Sequence, residues 1–218
     1  MKKEIKILGT GILLILLFAV WTLMIQVVDV RPAGQTRTEI GFASLNSWFF
    51  ELTGVHLDIY HITDWLGLVP ILICIMFGTI GLAQMITRKS LIKVDFDIIV
   101  LGFYYVIVIL CYLLFEMHPI NYRPIFMDGL KEASYPSSTS LLVISVMPTL
   151  VFNAERRLKS TKVKKTIGSI TAVFTLSMVV GRTLSGVHWL TDIVGSALLG
   201  FGLFCVYKAI VLIYAKEK

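Results

Sequence analysis

Residues 181–192 read G-R-T-L-S-G-V-H-W-L-T-D and lie between two apolar runs, at 167–181 and 190–215. They set Arg182, His188 and Asp192 close together in a chain that is 56% hydrophobic. Ionisable groups beside or within a membrane cost several kcal/mol, on the order of 3 or more, unless they are paired or used. The stretch therefore reads as a polar elbow joining two membrane helices. His188 and Asp192 are four residues apart, which on a helix places them on one face. The carboxylate would then accept a hydrogen bond from one ring nitrogen and leave the other free as a base or nucleophile. Arg182, on the far side of Gly186, can fold back over the same point with its planar fork. The alternative is a histidine and an aspartate that merely satisfy each other at a membrane surface.

Working outward, the 218 residues have a mean hydropathy of +0.82 and apolar runs longer than a soluble core requires. A span needs about 20 apolar residues. Spans are expected at 7–28, 66–86, 96–115, 136–153, 167–181 and 190–215, which makes an all-α, six-transmembrane-helix bundle of one membrane domain, 1–218. The first run exceeds the roughly 7 to 15 apolar residues of a signal peptide, and no small-x-small cleavage site follows it. The intervening segment 29–65 is mixed and aromatic. Phe42, Leu45, Phe49 and Leu52 recur at spacings of three and four, predicting a short amphipathic helix in the interface. His56 and His61 read as interfacial polar residues, with ligand or proton-carrier roles as the alternative.

The net charge of +6 does not point to nucleic acid, because the basic residues fall in short clusters between apolar runs. With the N-terminus inside, 15 of the 20 lysines and arginines become cytoplasmic. Arg31, Arg37, Arg123, Lys131 and Arg182 stay outside. Positive-inside asymmetry thus predicts a multi-pass cell-membrane protein with both termini cytoplasmic and Arg123, Arg182 and His188 on the outer face. Cys74, Cys111 and Cys205 lie in apolar segments without ligand spacing, so neither a disulfide framework nor a metal site is expected, and no cofactor motif is present.

Two further clusters fall on the same face. Asn121-Tyr122-Arg123-Pro124 holds an arginine against a proline beyond the third span, and 134–140, S-Y-P-S-S-T-S, is a hydroxyl-rich turn opening the fourth. Ser137, Ser138 and Thr139 can be simple caps. The same geometry also makes an anion site, since free N–H groups and the positive helix end converge there. Two arginines, a helix N-terminus and an Asp-supported histidine together describe a phosphate-handling site.

The ordered set R-P, P-S-x-x and R-x5-H-x3-D resembles the type-2 phosphatidic acid phosphatase superfamily, the integral membrane lipid phosphate phosphatases, whose motifs run K-x6-R-P, P-S-G-H and S-R-x5-H-x3-D. The resemblance covers about residues 64–200. It implies a six-helix bundle, a metal-independent reaction on a membrane lipid phosphate or diphosphate, His188 as the phosphorylated nucleophile, Asp192 as its partner, and Arg123 and Arg182 as phosphate clamps. The departures are Glu116 at the lysine position, Ser138 and Thr139 at the Gly-His positions, and Gly181 at the serine position. Lys131 could supply the missing cation. The missing histidine is the family's general acid, a contribution of about 10²- to 10⁴-fold. Without it, a weakly basic phosphate leaving group, as in a polyprenyl diphosphate, is easier to expel than an alkoxide. His118, Glu116 or Tyr122 could stand in. A phosphoryl or head-group transferase and a non-catalytic lipid-phosphate binder are the alternatives, and a transporter would leave the outer-face motifs unexplained. The motifs encode neither the lipid tail nor an oligomeric state.

Overall fold

The computed structural model describes residues 1–217. Six helical segments among them are long and apolar enough to cross a membrane. In chain order, α1 (Lys2–Val27) is followed by a hairpin of β1 (Arg31–Ala33) and β2 (Thr38–Ile40), then α2 (Ala43–Thr53), α3 (Leu57–Leu66) and α4 (Leu68–Arg88). A 3₁₀ turn at Leu91–Lys93 leads to α5 (Phe96–Met117), α6 (Ser138–Arg157), α7 (Thr161–Leu184) and α8 (Leu190–Glu217). The expected six-helix membrane architecture is present, and α2 falls where the Phe42-to-Leu52 spacing put an interfacial helix. Its Leu45, Trp48 and Leu52 are exposed, as an interface-lying helix requires.

The differences are local. The second span begins at Leu57, not 66, because α3 runs into α4 with only a break at Gly67. Asp58, His61 and Asp64 made this turn read as interfacial loop; the helix keeps them exposed or half-exposed and turns Thr63 inward. The β-hairpin was not anticipated, its strands being only three residues each. The fourth span starts at Ser138 with Ser137 as N-cap, two residues beyond the expected Pro136, and runs to Arg157. The fifth is longer at both ends than 167–181.

Helix α6 is central, packed against α4, α5, α7 and α8. It also has the lowest mean hydropathy of the six, 1.3, because it is the span least in touch with lipid. Several of its polar groups are bonded from neighbouring helices, as a lipid-embedded bundle favours. The Tyr104 hydroxyl donates to the Ser145 carbonyl at 2.8 Å, the Tyr105 and Thr149 hydroxyls share a 2.7 Å bond, and Asn153 donates to the Tyr207 hydroxyl at 3.1 Å. At the end of the bundle away from the motifs, Arg157 grips both carboxylate oxygens of Asp97 at 2.8 Å, while Arg88 reaches Asp95 at 2.8 Å. These pairs tie α4, α5 and α6 together.

Helices α1 and α8 approach closely where Gly11 faces Gly202. A Cβ at Gly11 would lie 2.9 Å from the Gly202 carbonyl oxygen and from the Val206 nitrogen. Backbone cannot yield as a side-chain tip can, so Gly11→Leu should cost about 1–3 kcal/mol by overpacking. We expect its melting temperature in detergent to drop by roughly 2–12 °C relative to wild type; equal melting would show that the contact is not tight.

Candidate active site

The motif residues meet where the C-terminal ends of α5 and α7 adjoin the N-terminal ends of α6 and α8. Three loops are stitched together there. Ser134 N–H donates to the Asn121 carbonyl at 2.9 Å and Arg123 N–H to the Glu132 carbonyl at 3.0 Å, closing the 121–134 loop on itself. The hairpin holds this loop from outside, Gln35 N–H bonding the Pro124 carbonyl at 2.7 Å and the Thr36 hydroxyl the Arg123 carbonyl at 2.9 Å. Helix α2 is pinned to the start of α8 by Asn46, whose amide donates to the Thr191 hydroxyl at 3.0 Å.

His188 does not lie on a helix with Asp192. Helix α8 starts at Leu190, so Asp192 occupies its first turn and His188 the preceding elbow. The Asp192 carboxylate, 0% exposed, accepts the Trp189 backbone N–H at 2.9 Å, an acidic side chain reaching back to cap its own helix. It also receives the Asn121 amide at 3.4 Å. The His188 Nδ1 lies 3.7 Å from Asp192, too far for a hydrogen bond, and bonds instead to the Ser134 carbonyl at 3.1 Å. This corrects the expected direct Asp–His bond. A carbonyl oxygen only accepts, so Nδ1 carries the hydrogen and Nε2 bears the lone pair.

That Nε2 is buried and has no partner. Burial, then the charges of Arg123 and Arg182, push the His188 pKa well below its ordinary 6.5. The ring is neutral at pH 7. Gly186 makes its position possible: with φ at +70° and a hypothetical Cβ 2.1 Å from the Gly54 carbonyl oxygen, no side chain fits there.

Both guanidiniums gather over one ring. Arg182, 1% exposed, lies 4.7 Å from the centre of Tyr60, and Arg123, 8% exposed, lies 5.6 Å from it. Arg182 is held by Asp64 at 3.6 Å and by the Thr63 hydroxyl at 3.4 Å. Arg123 Nε lies 3.2 Å from a Glu132 oxygen, without the alignment of a hydrogen bond. Arg123 Nη1 and Arg182 Nε are buried without hydrogen-bond partners.

A cavity of about 240 Å³ opens on His188 and Arg123, with Glu116, Glu132, Tyr135 and Ser138 around it. Ser138 is thus brought to the site. Ser137 is not, since its buried hydroxyl donates to Ser140. Thr139, at the position of the family's second histidine, lines a separate apolar groove. Lys131 is exposed and outside the cavity lining, so the lysine expected to replace Glu116 does not reach it. His118 is likewise absent from the lining. Sequence reasoning missed Tyr60, the Ser134 carbonyl and Glu132. Only Tyr60 left a signal, its i, i+3, i+4 spacing with Thr63 and Asp64.

The cavity thus brings a neutral imidazole with a free Nε2 together with an arginine that keeps unpartnered guanidinium nitrogens, beside the start of α6. The PAP2 superfamily profile matches residues 100–214, and the chain belongs to that superfamily. The fold agrees: a crystal structure of the first transmembrane PAP2 type phosphatidylglycerolphosphate phosphatase, from Bacillus subtilis, superposes with a TM-score of 0.58, covering 96% of this chain and 98% of that one at 20% identity. No curated protein matches the chain. Family membership supports a phosphoric ester hydrolase acting on lipid substrates.

The tautomer is directly measurable. Nitrogen-15 NMR of the labelled protein at pH 6.5 should show His188 neutral, with hydrogen on Nδ1; a protonated ring would contradict the geometry. Because the unfolded ring takes up its proton near 6.5 and the folded ring only well below, His188 makes the fold less stable as pH falls through about 6.5.

Proposed function

We propose that this protein is a membrane lipid phosphatase that hydrolyses a lipid diphosphate, such as a polyprenyl diphosphate, in preference to a monoester, through a phosphohistidine at His188. The observation that carries the reading is the His188 ring: Nδ1–H is committed to the Ser134 carbonyl, and the buried Nε2 is left without a partner beside Arg123. Nε2 attacks the terminal phosphorus, the bond from that phosphorus to the bridging oxygen breaks, and the electron pair leaves with the lipid monophosphate. The ring becomes cationic as the N–P bond forms. The Asp192 carboxylate, 3.7 Å from Nδ1, then faces that positive charge at short range. Water next attacks the phosphohistidine, releasing inorganic phosphate and returning the electron pair to Nε2. Arg123 and Arg182 neutralise the transferring oxygens.

The lining of the cavity supports the preference for a diphosphate. No histidine besides His188 reaches it, and Thr139 lies in the groove, so no imidazole stands ready to protonate an alkoxide. A phosphate leaves without that help.

The lipid tail has a path. An apolar groove of about 460 Å³ runs between α4, α5 and α6, lined by Leu68, Ile71, Val108, Ile109, Leu142 and Val146. It shares Tyr112, Ser138 and Leu141 with the polar cavity, so a chain lying in the groove would place its head group there. The charge asymmetry of the loops supports cytoplasmic termini and a site on the outer face.

In lipid nanodiscs, wild type should release phosphate from a polyprenyl diphosphate at least about 10²-fold faster than from phosphatidate, and His188→Ala should release none from either. A preference for phosphatidate would defeat the leaving-group argument, and turnover surviving in His188→Ala would defeat the nucleophile. Ile109→Trp should raise KM for the long-chain lipid with little change in kcat if the groove holds the tail; an unchanged KM would place the tail elsewhere.

A further inference from the structure

A second groove, of about 720 Å³, lies on the other side of α6 from the one assigned to the lipid tail. It is framed by α6, α7 and α8. Gly168, Ala172 and Ala197 make room for it, and Leu176 and Phe201 are among its apolar walls. Along α6 it runs from Ile144 to Glu155, which at 1.5 Å per residue is about 16 Å. That is half of the roughly 30 Å hydrocarbon core, the depth of one leaflet. Its length therefore suits the acyl chain of a phospholipid from one side of the membrane.

At the end away from His188 the lining becomes cationic. Lys208 Nζ lies 5.7 Å from the ring centre of Phe152 and 5.9 Å from that of Phe204, and Lys208 has no ion-pair partner among the described residues. Just outside the lining, the Arg156 guanidinium lies 5.6 Å from the same Phe152 ring. Its nearest carboxylate is Asp97 at 3.8 Å, which Arg157 already grips at 2.8 Å. Glu155, the one carboxylate in the described lining, is offset by Lys164 at 3.9 Å. Deeper in the groove, Thr171 is 5% exposed and Thr175 lies one turn further along α7; neither hydroxyl has a hydrogen-bond partner among the described residues. A helical threonine ordinarily returns its hydroxyl to the carbonyl one turn back, as Thr183 of the same helix does to Val179 at 2.7 Å. Unpaired hydroxyls in an apolar groove call for an acceptor.

We propose that the groove between α6, α7 and α8 is a binding site for an anionic phospholipid of the leaflet opposite the active site. Its phosphate sits at Lys208 with Arg156 beside it, and one acyl chain lies along α6. The ester oxygens below the phosphate accept from the Thr171 hydroxyl. The head group is anionic because two cations meet only one carboxylate there, itself offset, and the adjoining turn adds Lys159, Lys162 and Lys165. A choline ammonium would be repelled by the same charges. The site is separate from His188 and does not depend on the reaction proposed above.

The test is native mass spectrometry of the full chain in detergent, titrated with phosphatidylserine or with phosphatidylcholine of the same acyl chains. Neither lipid has a terminal phosphate for His188 to attack. Wild type should retain one phosphatidylserine at least about five-fold more tightly than phosphatidylcholine; Lys208→Gln should lose about that five-fold, and Lys208→Arg should keep it. Ala172→Trp, filling the groove from an exposed position, should weaken retention of phosphatidylserine by about ten-fold or more. Lys162→Gln, in the basic turn but outside the groove lining, should change nothing. Equal retention of the two lipids, or equal loss in Lys162→Gln and Lys208→Gln, would overturn the proposal and leave only a diffuse surface attraction. Loss of phosphatidylserine in Ile109→Trp but not in Ala172→Trp would also overturn it, placing the lipid in the groove beside α4 and α5. Displacement of phosphatidylserine by soluble glycerol phosphate would overturn it in favour of a site for free phosphate anions.

Discussion

A carboxylate wholly excluded from solvent is tolerated only where its neighbours satisfy it, and the outer architecture of this bundle depends on how Asp192 is satisfied. It takes the Trp189 N–H and the Asn121 amide, so the first turn of α8 is bound to the loop after α5. Asn121 in turn fixes Ser134 through its carbonyl, and the Ser134 carbonyl fixes the imidazole of His188. One buried charge thus sets the relative positions of three loops and the orientation of one ring. The aspartate acts on His188 by holding the scaffold and by its charge at 3.7 Å, not by a direct hydrogen bond.

The same economy of burial shapes the arginines. Each keeps a nitrogen without a hydrogen-bond partner while stacking on Tyr60, a ring that can hold a guanidinium without consuming its donors. Buried orphan donors are costly in a protein at rest. Their presence beside the Nε2 lone pair is understandable if a phosphoryl group binds there, its oxygens accepting from the guanidiniums and its phosphorus facing Nε2. Donors left free for those oxygens add to affinity for the phosphoryl group.

Much of this was readable from the chain. Six spans followed from apolar length, and the R-P, P-S and R-x5-H-x3-D spacings picked out Arg123, Ser138, Arg182, His188 and Asp192, which the fold gathers at one end of the bundle. What escaped were features carried by backbone or by mixed polarity. The partner of His188 is a carbonyl, which no residue type announces. Helix α3 was hidden by Asp58, His61 and Asp64, yet it delivers Tyr60 and Thr63 to Arg182. Lys131 looked adjacent to the site in sequence, but the loop turns it outward and brings Glu132 in beside Arg123. Charge sign can be read from sequence; which of two neighbouring side chains faces a cavity depends on a turn only the fold defines.

The central claim is that the free Nε2 of His188 takes the phosphoryl group. It is tested most directly by mixing the protein with a lipid diphosphate, quenching in alkali within the first turnovers, and locating the phosphoryl group by mass spectrometry, since phosphohistidine survives base. The account predicts a phosphoryl group on His188 that builds up before steady state and disappears as phosphate is released. Phosphate release with no phosphorylated residue, or with the label on any other side chain, would contradict it.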